Sequence, residues 1–218
     1  MSARAYGSSC DVDHGRKLFD RQGYLIVPRL IAQPLARFLF SYVDAKVACM
    51  LVDAGDPQVP NSPTGYGDFA FDGLLEYLRP QIECWCGLAL YPTYSYFRLY
   101  KRGDILKRHR DRSACEISIS LNLGQTPADP WPLHIENSDG SYGALLGPGD
   151  ALLYRGMERF HWREAYAGAR LAQVFLHYID RNGPHAEQKF DGRKSLMRPK
   201  SSSVDQNRHA SAATVTQP

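Results

Sequence analysis

The stretch YSYFRLYKRGDILKRHRDRSACEISISLN, Tyr94 to Asn122, decides the fold of this 218-residue chain. Tyr94, Tyr96, Arg98 and Tyr100 alternate with Ser95, Phe97 and Leu99. Glu116, Ser118, Ser120 and Asn122 alternate with Ile117, Ile119 and Leu121. A period of two marks β-strands, whose successive side chains point to opposite faces. Between the two runs lies His109-Arg110-Asp111. On extended backbone His109 and Asp111 face one way and Arg110 the other, so one imidazole and one carboxylate aim at a common point. His161 follows in a further strand-like run, with Arg170 beyond it. Two imidazoles and one carboxylate on one side of a metal, with other positions open, form the donor set of a non-haem Fe(II) site. The triplet alone also arises by chance in a chain with seven histidines, so the weight rests on its surroundings.

Outward from the triplet, Pro132–Glu136, Tyr142–Leu146, Ala151–Tyr154, Phe160–Glu164 and Arg170–Asp180 read as short strands. Gly147-Pro148-Gly149-Asp150 has proline and glycine placed for a type II turn. About eight short strands with turns between them predict a jelly roll. Upstream, Leu35, Phe38, Leu39, Tyr42, Val43 and Val47 recur at helical spacing, predicting a helix from Pro34 to Val52. Leu74 to Trp85 marks a second helix, kinked or restarted at Pro80 and closed by Gly87. Between the helices, Asp53 to Phe69 is rich in proline and glycine and reads as a functional loop or a poorly ordered one. The expected organisation is a helical and loop support region over 1–89, a β core over 90–181 and a disordered polar tail over 182–218. The fold class is mainly β with N-terminal α.

Composition narrows the function. A hydrophobic content of 44% and an aromatic content of 11% indicate a globular chain. A net charge of +3 without a clustered basic patch gives no reason to expect nucleic acid as partner. Five cysteines without framework spacing suggest reduced thiols, and Cys84 and Cys86 sit in an apolar helical context suited to core packing. No apolar segment reads as a signal peptide or a membrane span, so no membrane partner and a cytoplasmic location are expected.

Tyr100-Lys-Arg-Gly103, His109-Arg-Asp111, Ser120-Leu-Asn122, Pro148-Gly-Asp150, His161 and Gly168-Ala-Arg170, taken in order, resemble the 2-oxoglutarate/Fe(II)-dependent oxygenase superfamily, in its prolyl 4-hydroxylase-like branch. The resemblance covers roughly Leu90 to Asp180. It implies a double-stranded β-helix (jelly roll) core flanked by helices, with Fe(II) held by His109, Asp111 and His161. It further implies 2-oxoglutarate and O2 as cosubstrates and a hydroxylase releasing succinate and CO2. Arg170 matches the basic residue that pairs with the far carboxylate of 2-oxoglutarate, Tyr100 a tyrosine beside it, and Ser120 a second polar contact. The sequence departs from the branch at Trp131-Pro132 and at Arg163, where relatives commonly carry glycines and an apolar residue.

Arg163, two residues after His161, is expected to point inward, where Glu116 neutralises it or an anionic substrate does. Arg98 shares a face with Tyr100, as an internal salt-bridge partner or a pocket residue, and Tyr96 is a core ring or a pocket wall. Arg163, Arg98 and Tyr96 thus form the candidate substrate contacts. The substrate is an amino acid, a small acid, another small molecule or a protein side chain. Two other classes fit the pattern: a cupin-like metal enzyme without 2-oxoglutarate, and a silent jelly-roll binding module.

Overall fold

Two antiparallel sheets face each other in the computed structural model, which describes residues 9–127 and 131–197. The chain begins with α1 (Ser9–Gln22), β1 (Tyr24–Val27), α2 (Gln33–Ala48), β2 (Thr64–Tyr66) and α3 (Phe69–Cys86). The strands β3 (Leu90–Lys101), β4 (Leu106–His109), β5 (Ile117–Thr126), β6 (Leu133–Asn137) and β7 (Gly140–Ala144) follow. After them come β8 (Ala151–Arg155), β9 (His161–Arg163) and β10 (Arg170–Asp180). The larger sheet runs β1-β8-β5-β10-β3-β2 and the smaller β4-β9-β6-β7. This is the expected jelly roll with flanking helices.

The alternation in sequence becomes a division of labour between faces. Phe97 and Leu99 of β3, Ile117, Ile119 and Leu121 of β5, and Ala172, Val174 and Leu176 of β10 pack outward onto α2 and α3. There they join Ala36, Leu39 and Val43 of α2 with Phe71, Leu75, Leu78 and Ile82 of α3. At about 25 cal/mol per Å2 of apolar surface, this layer supplies most of the driving force. The opposite faces carry Arg98, Tyr100, Ser118, Ser120 and Gln173, all buried between the sheets. A polar face in an antiparallel sheet usually meets water; here it lines the interior of the barrel.

α3 starts at Asp68, whose carboxylate accepts from the amides of Ala70 and Phe71, and ends at Gly87 with φ of 70°. It runs through Pro80 as one element rather than restarting there. α2 stops at Ala48, short of the expected Val52. The turn after β7 has the predicted form, with Asp150 N donating to Gly147 O at 2.9 Å and Gly149 at φ of 92°.

Two expectations change. The Asp53–Phe69 loop is folded onto the barrel: its end forms the edge strand β2, and Val59 is buried in the inner cluster. The segment from Asn182, expected to be disordered, stays folded as far as Met197. It contains the 3-10 segment Ala186–Gly192, and Arg193 lies buried against Asp72 at 2.8 Å, both side chains 0% exposed. Sparse apolar residues misled because this segment docks through a buried ion pair and hydrogen bonds. Residues 198–218 lie outside the described residues. No helix among the described residues is long and apolar enough to cross a membrane.

Candidate metal centre

His109 ends β4 and stands directly across from His161 at the start of β9. Asp111 follows two residues on, anchored by its amide to Gly156 O at 2.9 Å. The three side chains come together: Asp111 Oδ1 lies 3.5 Å from His109 Nε2 and 3.4 Å from His161 Nε2, and the two imidazole centroids are 4.2 Å apart.

Their hydrogen bonds decide what the group is built to hold. His109 Nδ1 lies 2.8 Å from Lys107 O and His161 Nδ1 lies 3.0 Å from Arg159 O. A carbonyl oxygen only accepts, so each Nδ1 carries the proton and each neutral ring turns an Nε2 lone pair toward Asp111. Three lone-pair atoms thus converge with no donor among them, which is the fit expected of a cation site. Burial pushes the Asp111 carboxyl up, but its surroundings, His109 and His161 foremost, hold it well below the usual carboxylate range, so it stands as an anion. Its other oxygen, Oδ2, accepts from Ser118 Oγ at 3.1 Å. Gly156 leaves the room: a Cβ there would sit 2.4 Å from Asp111 Oδ2 and 2.4 Å from Cys115 O.

A cavity of about 410 Å3 opens over these three side chains, walled by Tyr66, Tyr94, Tyr96, Arg98, Phe175 and His177. Arg98 is 1% exposed and pairs with Asp56 of the folded loop, which also accepts from Tyr96 Oη at 2.6 Å. Arg98 also donates to Tyr100 Oη at 3.1 Å. Asp191 of the C-terminal segment holds two further wall residues, Tyr66 through its hydroxyl at 2.6 Å and Arg112 through a bidentate pair at 2.7 and 2.8 Å.

The predicted residues thus divide. His109, Asp111, His161, Arg98 and Tyr96 share the cavity. Tyr100 and Ser120 lie in the barrel interior, 0% and 1% exposed, Ser120 Oγ accepting from Gln173 Nε2 at 2.6 Å. Arg163 points inward as expected and is 2% exposed, but Glu116 is not its partner: that carboxylate accepts from the amide of Asp180. Arg163 donates to Trp131 O and, at 2.6 Å, to Gln173 Oε1, both neutral. Among the described residues no carboxylate pairs with it, and burial pulls its guanidinium down to about 10.

Arg170 is a correction. It lies on the outside, its side chain 47% exposed and paired with Asp44 of α2 at 2.9 Å. Parity is the reason: the inward residues of β10 are Leu171, Gln173, Phe175 and His177, so residue 170 faces the helix side. His177, which from sequence reads as a satisfied or exposed histidine, is buried and lines the cavity, and Gly156, Gln173, Asp56 and Asp191 carry no role in the sequence reading. Of these, His177 and Gln173 were visible as inward positions of β10 by the same parity, whereas the other three are placed by loops.

No family model matches the sequence, and no curated protein matches it. Solved structures do. A Pseudomonas putida prolyl-4-hydroxylase superposes with a TM-score of 0.65 at 18% identity, covering 77% of this chain and 98% of that one. The fold is that of the 2-oxoglutarate-dependent oxygenases. The non-haem epimerase SnoN, solved with Fe3+, alpha-ketoglutarate and nogalamycin RO, gives a TM-score of 0.70 at 12% identity over 88% of this chain and 94% of its own. HygX from Streptomyces hygroscopicus, solved with nickel, 2-oxoglutarate and hygromycin B, gives 0.62 at 14% identity over 78% and 87%. The oxygenase fold thus extends over both sheets of this chain.

Proposed function

We propose that the protein is an Fe(II)- and 2-oxoglutarate-dependent oxygenase acting on a small molecule. The observation that carries this reading is the convergence of two Nε2 lone pairs and one carboxylate oxygen, from His109, His161 and Asp111, onto one point of a cavity. Bound by these residues, Fe(II) with 2-oxoglutarate and O2 would supply the oxidation of an unactivated C–H bond, releasing succinate and CO2. The chain's own residues hold the ligands in one tautomer and fix the second oxygen of Asp111 through Ser118. They also enclose the site under the Asp56 loop and the Asp191 segment. The small-molecule reading is supported by the walled cavity and by the fold's likeness to SnoN and HygX, which were solved with nogalamycin RO and hygromycin B.

Arg163 takes the role that the resemblance gave to Arg170. A buried guanidinium with only neutral partners is costly unless an anion joins it, and 2-oxoglutarate is that anion. Arg163 lies two strand positions beyond His161, about 7 Å, a distance a five-carbon diacid spans. Leu106, the cross-strand partner of Arg163, lines the cavity, whereas Arg163 itself lies outside its lining. Tyr100 lies beside this end, its ring 6.0 Å from the guanidinium, and Ser120 is joined to it through Gln173. Neither Arg98, neutralised by Asp56, nor Arg163, assigned here to the cosubstrate, supports an anionic substrate.

Mixing the protein with Fe(II) and 2-oxoglutarate under nitrogen is expected to give a weak visible charge-transfer band. His109→Ala should abolish that band and lower iron stoichiometry well below one per chain. Retention of both in the variant would remove the metal assignment. Arg170→Ala should bind 2-oxoglutarate as the parent does and lose less than about 1 kcal/mol of stability, since its ion pair with Asp44 is solvent-exposed. A large loss of cosubstrate affinity in Arg170→Ala would return the role to that residue.

A further inference from the structure

One wall of the cavity is a continuous run of rings. Tyr66 stacks on Tyr94 with centroids 5.0 Å apart, and Tyr94 meets His177 at 4.6 Å. His177 lies parallel to Phe175 at 6.5 Å, and Phe175 meets Tyr96 at 6.3 Å. The three tyrosine hydroxyls are all committed to the wall behind: Tyr66 to Asp191, Tyr94 to Cys115 Sγ at 3.0 Å, Tyr96 to Asp56. These rings therefore offer a ligand their faces and edges, not their hydroxyls.

His177 differs. Ser118 Oγ sits 3.1 Å from Asp111 Oδ2 and 2.9 Å from His177 Nδ1. A hydroxyl has one proton, and a carboxylate oxygen attracts it more strongly than a neutral ring nitrogen. His177 Nδ1 then donates to Ser118, and Nε2 keeps its lone pair. With Nδ1 turned to Ser118, Nε2 is the ring nitrogen left for a ligand in the cavity that His177 lines. Of the cations that line the cavity, Arg98 is paired with Asp56 and Arg112 with Asp191, while Arg110, expected to face away from His109 and Asp111, also lines it and lies over the Phe160 ring at 4.2 Å.

We propose that this wall is the substrate subsite, and that the substrate is a ring-bearing small molecule which stacks on it and donates a hydroxyl or N–H to His177 Nε2. The proposal rests on the oxygenase reading, which places the reacting C–H bond beside His109, Asp111 and His161. Stacking holds the ring at the wall, and the His177 acceptor sets its rotation, so that one edge of the molecule faces His109, Asp111 and His161.

The test uses the full chain loaded with Co(II) and 2-oxoglutarate under nitrogen, with loading followed by the Co(II) absorption spectrum. Three probes are titrated by calorimetry: 2-naphthol, 2-methoxynaphthalene and decahydro-2-naphthol. 2-Naphthol should bind tightest. Removing the donor, in 2-methoxynaphthalene, should weaken binding about five-fold, and removing aromaticity, in decahydro-2-naphthol, about five-fold. His177→Phe should erase the advantage of 2-naphthol over its methyl ether, and Tyr94→Leu should weaken both naphthalenes together. Equal affinity of all three probes, or no binding by a loaded protein, overturns the proposal. Comparing the probes on the unaltered protein decides this even if His177→Phe fails to load Co(II). Failure of the unaltered chain to take up Co(II) and 2-oxoglutarate, seen before any probe is added, overturns the oxygenase reading and this proposal with it.

Discussion

A chain truncated after Gly183 is expected to lose about 3–5 kcal/mol of stability. Asp72 and Arg193 are both 0% exposed and pair at 2.8 Å. Arg193 also donates to Thr93 O at 3.0 Å, and Asp72 Oδ2 accepts from the amide of Met197 at 2.8 Å. Removing the segment leaves the Asp72 carboxylate in the core with only Ser95 donating to it, by amide and hydroxyl. Breaking a buried pair from one side costs more than the pair is worth, because the remaining charge has lost its compensation. For a chain of this size the melting temperature should fall by roughly 10 °C. Adding Asp72→Asn to the truncated chain should recover part of the loss, since an amide is cheaper to bury than a lone carboxylate. An unchanged melting temperature on truncation would show that the pair contributes nothing. The same truncation removes Asp191 from Tyr66 and Arg112, so the cavity wall loses its outer support as well.

Arg163→Met should weaken 2-oxoglutarate binding about 100-fold while leaving metal uptake intact. Without cosubstrate the same variant should melt no lower than the parent, and higher if the uncompensated guanidinium is a burden on the fold. This opposition of sign separates a binding cation from a structural one. A structural Arg163, bonded to Trp131 O and Gln173, would give a lower melting temperature with unaltered cosubstrate affinity. That pattern in titration calorimetry and thermal melts would take the role away from Arg163.

Local periodicity carried far in this chain. Alternation on β3 and β5 showed which residues face together, and parity brought His109 and Asp111 to one point before any strand was paired. It also showed that Arg163 shares the inward face of His161. Applied with the same rigour to β10, it would have turned Arg170 outward and found Gln173 and His177. At residue 170 the family pattern and the parity of the strand point to opposite faces, and the structure follows parity.

What the sequence by itself determined is the set of faces: His109 and Asp111 turned to one side, an apolar layer for helices, and a polar inner face that a jelly roll encloses. These are properties of neighbours along the chain, where the geometry of extended backbone suffices. Only the tertiary structure decided which charges neutralise each other. Arg98 meets Asp56, 42 residues away, Arg193 meets Asp72 across 121 residues, and Arg163 meets no carboxylate among the described residues. A charge carries no local signature of its partner, because Coulombic pairing depends on distance in space and on burial, and both are set by packing the loop and the C-terminal segment onto the barrel. The roles proposed for particular arginines therefore had to wait for the fold, while the grouping of His109, Asp111 and His161 did not.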